Sequence, residues 1–152
     1  MNVLFIGLGN VCRTPMAESL LKKKLKEKGI EGFVDSAGFE SFTINEAPDK
    51  RAVMVAKKFG IELSGKSRLF VKADFDKFDK IYVMDTLNYR EVKDLERNKA
   101  DEEKLDYLLN VLYPGENKTV PNPFMQGEHE CHVVFDLLDK ATTKIVENIK
   151  TS

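Results

Sequence analysis

Four consecutive apolar residues, Val3-Leu4-Phe5-Ile6, run straight into glycine, the pattern of a short strand buried on both faces of a parallel sheet. Pro15 follows where a helix tolerates proline, in its first turn, and Met16, Ala17, Leu20, Leu21 and Leu25 mark one face of that helix. Gly29 supplies its C-terminal stop. Gly32 to Asp35 predicts a second strand, and a loop continues to Pro48. Asp49 can cap a helix reaching about Phe59, with Ala52, Val53, Ala56 and Phe59 inward and Gly60 ending it. Lys80 to Met84 predicts a third strand and Thr86 to about Arg97 a helix. Asp106 to Leu109 predicts a fourth strand, although Glu102 to Leu112 also reads as helix. Val134, Leu138, Ala141, Ile145 and Ile149 mark a C-terminal helix. Strands alternating with helices predict a parallel α/β sandwich, here one domain over residues 1–152.

Composition narrows the classes. The 152 residues are 42 % hydrophobic and 32 % charged, which suits one domain with a core. The net charge of -1 gives no support to nucleic-acid or membrane-surface binding. Lys22, Lys23, Lys24, Lys26 and Lys28 therefore read as a solvated helix face rather than a recognition surface. No apolar run reaches the roughly 18 residues of a membrane helix, and the start lacks the basic flank of a secretion signal. Cys12 and Cys131 lack metal-ligand spacing, so a reducing cytoplasm is the expected compartment and no metal or cofactor is expected.

The chemistry concentrates in Gly7-Leu8-Gly9-Asn10-Val11-Cys12-Arg13-Thr14, between the first strand and the next helix. Such loops bind ligands in parallel α/β folds. Convergent backbone N–H groups and a helix N-terminus favour an anion, and Arg13 adds a planar fork that can hold two phosphate oxygens. Asn10 and Thr14 can brace the loop. A dinucleotide-binding reading of Gly7-Leu8-Gly9 with Asp35 fails because Cys12 stands at the third glycine and Arg13 would crowd the pyrophosphate. A Walker loop fails for want of Gly-Lys-Ser/Thr. The plainest alternative is a tight turn beside a surface arginine.

Val3 to Glu18 resembles the low-molecular-weight protein-tyrosine phosphatases, whose loop reads Cys-x5-Arg-Ser/Thr-Pro. The resemblance continues through Asp35-Ser36-Ala37-Gly38, Pro48-Asp49-Lys50-Arg51-Ala52, Met84-Asp85 with Asn88, and Val120-Pro121-Asn122-Pro123-Phe124. It implies a three-layer sandwich, with a four-stranded parallel sheet between helices, and metal-free hydrolysis of phosphotyrosine or small aryl phosphates through a phosphocysteine. By this resemblance, residues 8–14 bind the phosphate or sulfate anion. Phe42, Phe124 and Met125 wall the substrate, with Met125 replacing an aromatic residue. Ser36 and Asp85 support the loop.

Two departures fall on the chemistry. Gly7 stands where the resemblance places the nucleophilic cysteine, and Asn122 where it places the general-acid aspartate. A loop of N–H groups and arginine makes a cysteine a thiolate, and glycine offers no such group. An amide cannot protonate a leaving phenolate, a step worth roughly 10²–10⁴-fold. Cys12 leaves the loop from a different point and is poorly placed for in-line attack. Cys131 reads as a helix core residue, and His129 and His132 as surface residues. The expectation is an anion cradle with hydrolysis impaired or absent. The competing classes are a non-catalytic partner-binding module (a pseudophosphatase) and, further off, an arsenate reductase, whose resolving thiols this chain lacks.

Overall fold

In the computed structural model, which describes residues 1–7, 12–39, 47–63, 67–122 and 127–151, β1 (Val3–Ile6) is buried along its whole length. Side chains of a strand alternate between faces. Val3 and Phe5 therefore pack into one apolar cluster and Leu4 and Ile6 into another. The first cluster is closed by α1 (Arg13–Glu27), α2 (Lys50–Lys58) and α6 (Glu128–Thr151). The second holds Phe75 of α3 (Asp74–Lys77) and Val92 of α4 (Thr86–Lys93). The sheet between them contains β2 (Val34–Ala37), β3 (Lys80–Val83) and β4 (Leu105–Tyr107) in the order β2-β1-β3-β4, all parallel. This is the expected three-layer α/β sandwich.

The strand order places β1 between β2 on one side and β3 on the other. The chain thus reverses its direction of travel across the sheet at β1, and the crevice beyond the carboxyl ends of β1 and β3 is a topological switch point. Gly7 ends β1 there, and Met84-Asp85 follow β3 there.

Several boundaries differ from the sequence expectation, each for a local reason. The second strand begins at Val34 rather than Gly32, because pairing starts with Val3 opposite Val34. Phe33 is left exposed, and Gly32 lies where the backbone of Met1 passes: a Cβ there would come within 2.4 Å of the Met1 carbonyl oxygen. The helix after β3 stops at Lys93, since Asn98 caps a separate α5 (Lys99–Lys104) by accepting from the Asp101 N–H at 2.9 Å. The stretch read as either strand or helix is both in turn: α5, then β4, then a 3₁₀ turn over Leu108–Val111. In α2, Asp49 is the N-cap, accepting from the Arg51 N–H at 2.8 Å. Val55 faces inward with Ala52 and Ala56, while Val53 is half-buried and Phe59 exposed.

Candidate active site

Arg13 is the first residue of α1, and 4 % of it is exposed. Its Nη1 donates to the Val120 carbonyl at 2.8 Å and its Nη2 to Asp85 Oδ2 at 3.2 Å. Both partners are fixed to β3 and its end. The Val120 N–H donates to the Met84 carbonyl at 2.7 Å, and the Met84 N–H to the Ile6 carbonyl at 3.1 Å. Asp85 uses its other oxygen, Oδ1, to cap α4 by accepting from the Asn88 N–H at 2.9 Å. Each carboxylate oxygen thus holds a different element, so the guanidinium is aimed by a frame that runs back into the sheet.

An arginine carries five N–H donors. Two of Arg13's bonds go to Val120 and Asp85, and the residue still lies almost wholly out of water. Burial lowers its pKa and the Asp85 charge opposes that fall. No side chain caps the N-terminus of α1 among the described residues, so its first N–H groups add their partial positive charge to the same corner. The arrangement can hold a compact anion, and a tetrahedral oxyanion matches both the planar fork and the amide edges.

Gly7 is buried at the end of β1 and donates its N–H to the Ala37 carbonyl at 3.2 Å. Thr14 is 1 % exposed beside it. Ser36, on β2, donates to Glu18 Oε1 at 2.6 Å, and Glu18 Oε2 accepts from Lys22 at 2.6 Å. Ser36 thereby ties β2 to α1. Asn122 is exposed, two residues beyond the carbonyl that Arg13 grips. Leu8, Gly9, Asn10 and Val11 of the loop, together with Phe42, Phe124 and Met125, lie outside the described residues.

Cys12 sits in the core beneath the start of α1, a free thiol in the same apolar cluster as Cys131 of α6. Burial, helped by Cys131 and Asp49, pushes the Cys12 thiol up to about 12 against the pull of Arg13. Cys131 is raised as well, chiefly by burial. Both are packed, protonated thiols at neutral pH. His129 is exposed, and His132 stacks edge-on against Phe59 away from Arg13's frame. Among the described residues no cluster of three His, Cys, Asp or Glu side chains could hold a metal ion, and no helix is long and apolar enough to cross a membrane.

Sequence reasoning named Arg13 and Asp85 but missed Val120. What Arg13 uses there is a main-chain carbonyl, which every residue possesses, so residue type carried no signal. The family model for low-molecular-weight phosphotyrosine protein phosphatases matches residues 2–152. The chain belongs to that family. Like this phosphatase-family chain, a putative low-molecular-weight protein-tyrosine-phosphatase of Synechocystis spans the whole domain; the two are 30 % identical over 151 residues, covering 98 % of this chain and 96 % of the relative. A protein tyrosine phosphatase of Entamoeba histolytica, solved with Hepes in its active site, superposes with a TM-score of 0.92 at 31 % identity, covering 99 % of this chain and 97 % of that one. The Drosophila arginine phosphatase superposes with a TM-score of 0.91 at 27 % identity, covering 99 % and 98 %. Family membership disposes of the dinucleotide reading of Gly7-Leu8-Gly9.

Proposed function

We propose that this phosphatase-family protein binds a phosphate monoester, phosphotyrosine or a small aryl phosphate, at the carboxyl ends of β1 and β3 and hydrolyses it weakly or not at all. The observation that carries the reading is Arg13: buried, aimed by Asp85 and Val120, and with donors to spare among the described residues. An arginine turned outward would instead have favoured a partner-binding module with no ligand in the loop. The Entamoeba relative, with the sulfonate-bearing Hepes in its active site, supports an oxyanion ligand. In this reading the N–H groups of Leu8, Gly9, Asn10, Val11, Cys12, Arg13 and Thr14 line the cradle. Phe42, Phe124 and Met125 face the rest of the ligand.

Gly7 and Asn122 stand at the nucleophile and general-acid positions in this reading, so the bound ester meets neither a thiolate nor a proton donor. Losing the thiolate removes a like charge from beside the ligand. A phosphomonoester carries about -1.5 to -2 charge, and a unit charge at ~4 Å costs on the order of 4 kcal/mol per unit at an effective dielectric of 20. The expected outcome is phosphate affinity in the parent chain at least equal to that of Gly7→Cys, read by isothermal titration. p-Nitrophenyl phosphate turnover should be far higher in Gly7→Cys than in the parent. Tighter phosphate binding by Gly7→Cys, or equal turnover by the two, would sink the reading. The Drosophila relative supports a second ligand class, phosphoarginine. Titration with phosphotyrosine and phosphoarginine in parallel decides between them.

A further inference from the structure

Glycine at position 7 is not demanded by the backbone. The glycines with positive φ are Gly29, Gly60 and Gly115, among the described residues, and Gly7 is not one of them. Its torsions would accept a side chain; the space would not. A Cβ built on Gly7 lies 2.8 Å from Thr14 Cγ2, 3.6 Å from Thr14 Oγ1 and 3.8 Å from Met84 Cγ. Carbon atoms pack at about 3.5–4.0 Å, so the methyl contact is short by most of an ångström while the other two are ordinary. Thr14 is 1 % exposed and sits in the first turn of α1 between Arg13 and Pro15, so its side chain is enclosed.

We propose that the γ-methyl of Thr14, in the rotamer it takes beside Gly7, fills the place that the Cβ of a nucleophile at position 7 would take, making Thr14 a positioning residue that must turn aside before this site can carry such a nucleophile in line. This rests on the reading of Gly7 given above. Threonine in a helix is confined to few χ1 rotamers, and swinging the methyl out of the gap also moves the hydroxyl. A cysteine introduced at position 7 therefore enters with Thr14 displaced or is itself pushed out of line. Thr14→Ser removes the methyl and keeps the hydroxyl, which isolates the contact.

The first test is a double-mutant cycle on thermal unfolding with the parent, Gly7→Ala, Thr14→Ser and the double variant. Overpacking a filled core site lowers Tm by about 2–12 °C for a chain of this size. Gly7→Ala should show that loss in the parent background and at most half of it in the Thr14→Ser background. Equal losses in the two backgrounds overturn the inference. The second test compares p-nitrophenyl phosphate turnover by Gly7→Cys and Gly7→Cys/Thr14→Ser. Small misplacements of a reacting atom cost up to about 10²-fold, so the double variant should exceed the single by about tenfold. Equal turnover by the two, zero included, overturns it as a statement about the nucleophile. Failure of the parent chain to bind phosphate removes the phosphate-site reading alone, because the melts measure packing without any ligand.

Discussion

Arg13 and Arg97 lie at opposite ends of the same physics. Arg97 is gripped by two carboxylates. Its Nε donates to Asp101 at 2.9 Å and its Nη1 to Asp76 at 3.1 Å, while its Nη2 reaches Asp76 at 2.7 Å and Asp101 at 3.1 Å. Those hydrogen bonds raise its pKa. Among the described residues Arg13 has one carboxylate and one carbonyl, with far less exposure and a pKa lowered by burial. A guanidinium saturated by carboxylates fastens chain segments together. One that is buried with donors unspent among the described residues has been taken out of water with its hydrogen-bonding capacity only partly used, which is what the proposed anion would complete. The difference lies in what surrounds the two side chains, since the residue type is the same.

Removing each arginine in turn breaks the comparison most sharply. Charge-assisted hydrogen bonds contribute about 1.5–3 kcal/mol each, so losing a bidentate grip should weaken phosphate binding by about 100-fold or more. Arg13→Ala should show that loss by titration calorimetry, and Arg97→Ala should leave phosphate affinity unchanged while lowering Tm. Part of the Tm penalty for Arg97, the share due to its exposed pair with Asp76, should shrink with added salt, because exposed ion pairs are screened. Equal effects on phosphate affinity from the two variants would remove the distinction.

The next effect comes from the frame. Asp85→Asn keeps the shape of the side chain but strips Arg13 of its counter-charge. Breaking a buried ion pair costs about 3–5 kcal/mol, and the partial exposure of Asp85 discounts this to about 2–3 kcal/mol. Thermal unfolding should fall by about 4–12 °C in the absence of phosphate. Saturating phosphate should recover part of that loss, since an anion replaces the missing charge on Arg13. A variant whose Tm deficit is identical with and without phosphate would show that Asp85 acts on α4 alone, through its cap.

How much of this was legible follows from what kind of group does each task. Gly7, Arg13 and Pro15 are residue types that loops and helix starts use for stated reasons, so the anion corner stood out in the sequence. Asp85 was legible as part of Met84-Asp85 with Asn88. Val120 was not, because its contribution is a carbonyl positioned by the fold. The Thr14–Gly7 contact was equally hidden: it is a packing distance, and no pattern of residue types encodes one. The helix–strand ambiguity around Leu105 and Tyr107 has a similar origin. Charged residues over Lys99–Lys104 run directly into apolar Leu105, Tyr107, Leu108 and Leu109, a run that satisfies helical and strand periods until β3 supplies a partner.

The smallest expected effect concerns Cys12, the neighbour of Arg13. The two adjacent side chains divide the corner's electrostatics. Arg13 keeps its charge with Asp85's support, whereas burial holds the Cys12 thiol neutral up to about 12. At neutral pH its thiolate fraction is about one part in 10⁵, so it offers a bound anion neither repulsion nor attack. The folded pKa lies above the ordinary value of 9.0, so the stabilising contribution of the protonated thiol is complete below pH 9 and is lost as pH rises toward about 12. Alkylation by iodoacetamide, followed site by site by mass, should therefore be slow at Cys12 at about pH 7.5. It should climb with pH through about 10 without levelling off. A plateau below about pH 9 would mean that Arg13 outweighs burial and that Cys12 carries a usable thiolate, which would reopen it as a nucleophile for this site.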